Sequence, residues 1–152
     1  MLNNKFNHKP VANPLDVIKI FKDILEAEKR PDQIKEHFWV LGLNNKNSIK
    51  FIDLISLGTM NCTLVSTREV YRIILLKECI RAVFIHNHPS GDPEPSSGDD
   101  KVTKKLVEAG KLLEIDVLDH IIITNENERY YSYNENNRII SFQQDESPSN
   151  FS

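Results

Sequence analysis

A chain of 152 residues with 39% hydrophobic content and a net charge of −3 can bury one sizeable core, and it is too short for two ordinary domains. No run reaches membrane-spanning length and the polar start lacks the apolar centre of a secretion signal, so the expected compartment is the cytoplasm and no membrane partner is expected. Two cysteines, Cys62 and Cys79, are too few for a disulfide framework and lack metal-type pairing, so they read as small apolar residues of a reducing compartment.

Residues 1–13, with His8 among them, are expected to form a flexible N-terminus. Asn13 and Pro14 make an N-cap and first-turn pair, and Leu15, Ile18, Phe21, Ile24 and Leu25 recur at helical spacing. They predict an amphipathic helix to about Arg30, ended by Pro31 and Asp32. Strands follow over 38–43 and 49–56, joined as a hairpin by the polar turn Asn44 to Asn47. Gly58 and Thr59 interrupt the pattern, and a short extended piece is expected over 63–65. Ser66 and Glu69, three residues apart, read as a capping box that opens a helix with Val70, Ile73, Ile74 and Cys79 on its apolar side.

The apolar run 80–85 reads as a buried strand, and His86-Asn87-His88-Pro89 follows at its C-terminal end. Residues two apart in an extended chain point to the same face, so both imidazoles can reach one point in space. Pro89, Gly91, Pro93 and Pro95 then stop the strand and enforce a rigid loop. Val102, Leu106, Val107, Leu112 and Leu113 resume at helical spacing, with Ser96 or Ser97 as N-cap and Asp99 in the first turn, where the helix dipole favours a carboxylate. The loop can fold Asp99 back towards the histidines. Two imidazole nitrogens and a carboxylate oxygen make three protein ligands and leave the fourth tetrahedral position of zinc open, as catalytic rather than structural sites do. Histidines that merely satisfy loop hydrogen bonds are the alternative reading of the same residues.

A strand over 117–124, a weaker one over 129–133 and a polar tail over 143–152, expected to be disordered, complete the chain. Helices interspersed with strands predict an α/β fold: a single layered domain over 14–142 with a mixed sheet flanked by helices.

The spacing His86-x-His88-Pro89, six residues, Ser96, two residues, Asp99 resembles the H-x-H-P-x6-S-x2-D pattern of JAMM (MPN-type) metalloproteases. The fuller stretch from His86-Asn87-His88-Pro89-Ser90-Gly91 to Pro95, Ser96 and Asp99 is similar to their RadC-like branch. Glu36 to Leu41, Asn44-Asn45-Lys46, Gly58-Thr59, Arg68-Glu69-Val70 and Leu118 to Ile122 look like that branch's landmarks in order, so the resemblance covers about residues 14 to 133. It implies the JAMM/MPN fold, similar to the cytidine-deaminase-like fold, and one zinc ion per chain held by His86, His88 and Asp99. It also implies that Ser96 donates a hydrogen bond to the developing oxyanion and that Glu36 is the general base. The implied activity is hydrolysis of amide bonds, peptide or isopeptide, in a peptide or protein substrate that the sequence does not name.

One departure from that resemblance and one rival chemistry bear on it. Many JAMM proteins carry a glycine three residues after the glutamate, where this chain has Trp39, read as a core anchor. The C-x-x-C pair of the zinc deaminases is missing, which removes deamination. His37 is expected to face away from Glu36. His120 reads either as a group behind the metal ligands or as a hydrogen-bonded core histidine.

RadC-like proteins also carry a DNA-repair label, and longer members have an N-terminal helix-hairpin-helix region for which no room is expected here. A nucleic-acid module is usually basic. Lys101, Lys104, Lys105 and Lys111 instead share a predicted helix with Asp99, Asp100, Glu108 and Glu114, as on a solvated helix face. A DNA-repair-associated or non-enzymatic zinc-containing interaction module is therefore the alternative to a metallohydrolase.

Overall fold

The apolar runs between residues 37 and 132 assemble into one five-stranded sheet in the computed structural model, which describes residues 4–58 and 64–144. Its strands are β1 (His37–Leu43), β2 (Ile49–Leu57), β3 (Arg81–His88), β4 (Asp116–Thr124) and β5 (Tyr130–Ser132), in the order β2-β1-β3-β4-β5. β1 runs antiparallel to both β2 and β3, β3 runs parallel to β4, and β5 returns antiparallel to β4. A parallel pair needs a long crossover, and the helix between β3 and β4 supplies it.

Among the described residues, five α-helices and a short 3-10 helix (Asn4–Phe6) complete the fold, the α-helices being α1 (Pro14–Glu26), α2 (Arg30–Gln33), α3 (Thr67–Leu76), α4 (Ser97–Leu113) and α5 (Arg138–Gln144). Alternate side chains of the sheet feed two separate cores. Trp39, Leu41, Val83, Ile85 and Ile121 pack with Val17, Phe21 and Ile24 of α1, whereas Phe38, Val40, Phe84 and Ile122 pack with Val70 and Ile74 of α3 and Leu106 of α4. Helices on both faces bury every residue of β1, which explains its unbroken apolar run. This is the α/β fold with a mixed sheet flanked by helices that the sequence predicts.

Local corrections have physical causes. α1 stops at Glu26 rather than near Arg30, and Pro31 does not end a helix but sits in the first turn of α2, where a missing N–H costs nothing. Ser66 caps α3 by accepting the Glu69 N–H, yet the Glu69 carboxylate turns to Arg72 at 3.1 Å instead of closing the box. Of the extended piece expected over 63–65, Thr63 lies outside the described residues and Leu64 and Val65 join no strand. α5 was not anticipated; Arg138 secures it, lying 2.8 Å from Asp100 of α4 and over the Tyr133 ring.

Of the stretch expected to be flexible, residues 4–13 lie along the start of β2. The His8 N–H donates to the Ile49 carbonyl, the Ile49 N–H to that of Lys9, and Phe6 is buried. Of the tail, Gln143 and Gln144 end α5, and 145–152, like Cys62, fall outside the described residues. Among the described residues no helix is long and apolar enough to cross a membrane.

The β1–β2 hairpin turns as expected on Asn44, whose Oδ1 accepts the N–H groups of Lys46 and Ser48. Next to it, Gly42 has no room for a side chain: a Cβ there would stand 2.1 Å from the Phe51 ring and 2.6 Å from the Cys79 sulfur. Gly42→Ala is expected to lower the unfolding free energy by about 1–3 kcal/mol, read by urea denaturation; an unchanged midpoint would show that Phe51 can move aside.

Candidate metal centre

The antiparallel register of β1 and β3 sets Phe38 opposite His86. Carried two residues further, it brings Glu36 across from His88. Directly opposed residues share a face, so Glu36, His86 and His88 all project towards α4, while His37, Trp39 and Asn87 project towards α1. Trp39 is fully buried among α1 side chains, 5.2 Å from the Phe21 ring, so the bulky residue standing where many JAMM proteins have glycine never enters the site.

Glu36, His86 and His88 each offer a ligand atom, and these atoms lie within 4.8 Å of one another. Glu36 Oε2 stands 3.7 Å from His86 Nε2. Asp99 closes the other side: its Oδ1 lies 3.5 Å from His86 Nδ1 and its Oδ2 3.1 Å from His88 Nε2. All four are shielded from water, with side-chain exposures of 13% for Glu36 and His88 and 2% for His86 and Asp99.

Two local devices aim these groups. His88 Nδ1 lies 2.8 Å from the Asp92 carbonyl, which keeps a proton on Nδ1 and turns Nε2 towards Asp99 Oδ2 at 3.1 Å. Burial opposes a charge on His88, but hydrogen bonds to Asp99 and to the Asp92 carbonyl outweigh it and raise its pKa. Asp99 is held by a capping box: its Oδ2 accepts the Ser96 N–H at 2.9 Å while Ser96 Oγ accepts the Asp99 N–H at 3.1 Å. Ser96, not Ser97, is thus the N-cap. Because its oxygen accepts, its hydroxyl proton is left to donate elsewhere.

Behind this cluster, Thr103 hydrogen-bonds the Asp99 carbonyl at 2.6 Å and His120 Nδ1 at 2.6 Å. Thr103 carried no signal in the sequence beyond its place one turn after Asp99. His120 is a hydrogen-bonded core histidine, fully buried and stacked on Tyr133, with its ring centroid 6.3 Å from that of His86. Burial, helped by the nearby His86, pushes its pKa down to about 3, so the ring is neutral. Cys79 is a core residue as expected, and burial pushes its thiol up to about 11, far from a reactive thiolate. The lysines of α4 take no part: Lys101, Lys105 and Lys111 are exposed, and Lys104 pairs with Glu108 at 4.0 Å.

Residues 11–138 match the family described as the RadC-like JAB domain. A UPF0758 protein of Alkaliphilus metalliredigens is 41% identical over 134 residues, covering 88% of this chain and 55% of the relative. One from Chlorobium phaeovibrioides is 38% identical over 140 residues, covering 91% and 61%, and one from Methanosarcina mazei is 44% identical over 115 residues, covering 76% and 48%. The chain thus spans about half the length of these curated relatives. It belongs to the RadC-like JAB domain family, and the histidines, glutamate and aspartate gathered between β1, β3 and α4 lie within the matched region.

Proposed function

We propose that this domain is a zinc-dependent hydrolase of amide bonds, peptide or isopeptide, acting on peptide or protein substrates. The observation that carries this reading is the convergence of Glu36 and Asp99 on opposite sides of the His86–His88 pair. The donor set fits zinc, which takes two imidazoles and a carboxylate in open catalytic sites. Asp99 also fits, because its two oxygens face both imidazoles, 3.5 Å from His86 Nδ1 and 3.1 Å from His88 Nε2, at 2% exposure.

His86, His88 and Asp99 would hold the ion. Bound there, zinc supplies a water of lowered pKa and polarises the scissile carbonyl. Glu36 takes the proton of the attacking water and returns it to the departing amine, which needs a carboxylate beside the ligands but spared from the capping role that ties Asp99 down. Ser96 donates its hydroxyl proton to the oxyanion as the carbonyl is attacked. The burial of the four groups keeps bulk water from competing for these hydrogen bonds.

Metal analysis after zinc loading and desalting tests the reading. About one zinc per chain is expected in the wild type and almost none in His88→Ala. A folded wild type that retains no zinc removes the proposal.

A further inference from the structure

Asn87 stands between the two histidines of β3, is 0% exposed, and points away from them into the α1 face. There its amide meets the chain on both sides of Glu36. Oδ1 accepts the His37 backbone N–H at 2.6 Å and lies 3.2 Å from His37 Nδ1, while Nδ2 donates to the Lys35 carbonyl at 3.0 Å. Nδ2 also donates to Asn125 Oδ1 at 2.9 Å, and the Asn125 amide donates in turn to the Gln33 carbonyl.

The Lys35 carbonyl belongs to the peptide plane before Glu36, and the His37 N–H to the plane after it. A residue's two soft dihedrals are the rotations of its Cα against those two planes. One side-chain amide that bonds both planes therefore fixes the backbone of Glu36 and the direction of its Cβ. Each plane has one other partner, since His37 Nδ1 donates to the Lys35 carbonyl at 2.8 Å and the Gly58 N–H donates to the Glu36 carbonyl at 2.9 Å, but the Asn87 amide ties the two planes to each other and to β3. The polarity is specific to asparagine: the donor end faces two acceptors and the acceptor end a donor, whereas an aspartate would set an oxygen against Lys35 and Asn125.

We propose that Asn87 is a positioning residue that holds Glu36 in place beside the histidine pair. β3 thus carries its two candidate ligands on one face and, between them on the other face, the group that sets where Glu36 stands. The inference rests on the reading of Glu36 as the proton carrier.

The test uses the full, zinc-loaded chain with Asn87→Ala and with Asn87→Asp, which keeps the volume and the acceptor but loses the donor. Amide hydrogen exchange by NMR and cleavage of a pooled peptide library are read together. The His37 amide of Asn87→Ala is expected to exchange at least about tenfold faster while the β3–β4 ladder and the zinc content stay as in wild type, and cleavage in both variants falls about 10- to 100-fold in kcat with KM little changed. Asn87→Ala added to Glu36→Gln is expected to cost nothing beyond Glu36→Gln alone, because the residue acts through the carboxylate. Losses that multiply overturn the proposal, as does wild-type cleavage by both Asn87 variants. Variants that lose the β3–β4 protection altogether make Asn87 a general core residue and overturn it too. If Glu36→Gln cleaves as the wild type does, or the wild type cleaves nothing, the proton-carrier reading falls, and exchange at His37 alone decides whether Asn87 holds this segment.

Discussion

Glu36→Gln is expected to slow amide hydrolysis by about 10²- to 10⁴-fold while the protein keeps its zinc, measured as cleavage of a peptide library alongside metal content. Glutamine matches the size of glutamate and can still hydrogen-bond, but it cannot take a proton. The geometry makes the metal half of this measurement decisive, since the Glu36, His86 and His88 ligand atoms already lie within 4.8 Å of one another. Were Glu36 the third ligand and Asp99 the hydrogen-bonded neighbour, Glu36→Gln would release zinc and Asp99→Asn would keep it. The assignment proposed here requires the reverse. Undiminished cleavage by Glu36→Gln removes the residue from the mechanism under either arrangement.

Asp99→Ala should reduce zinc affinity by more than the roughly 10- to 100-fold typical of a group that only supports a ligand. It should also reduce stability without any metal present, because the same oxygen that lies 3.1 Å from His88 Nε2 accepts the N–H of Ser96 at 2.9 Å. Loss of a cap costs about 0.5–2 kcal/mol, visible as a lower urea midpoint of the zinc-free protein. Asp99→Asn separates the two roles: its side-chain oxygen can still accept from Ser96, so stability returns while zinc binding does not. A zinc-free Asp99→Ala protein as stable as the wild type would show that the capping box carries no weight here.

The sequence made the middle of the site readable and left its edges to the fold. His86 and His88 could be placed because two residues of one strand share a face by local geometry, and Asp99 because Ser96 announces a helix start three residues earlier. Glu36 is different. Fifty residues separate it from His86, and only the pairing of β1 with β3 brings them together, so residue patterns alone did not single it out and family resemblance had to. The Asn87 amide escaped for the same reason, since its partners at Lys35 and His37 and at Asn125 come from two other segments. α5 was missed because one short helix with a single buried residue, Ile139, leaves almost no apolar periodicity, and its anchor is an ion pair to Asp100. α2 was missed because Pro31 serves equally well as a stop or a start.

The strict alternation along β1 and β3 gives the domain a parity. Even-numbered positions at one end of the pair, Glu36, His86 and His88, make the candidate site, while the odd-numbered ones beside them supply packing and the bracket. A single inserted or deleted residue within either strand would exchange the two sets, turning Trp39 and Asn87 towards α4 and His86 towards α1. A change in the length of a loop would leave that alternation intact, whereas one residue gained or lost within either strand would take the candidate site apart.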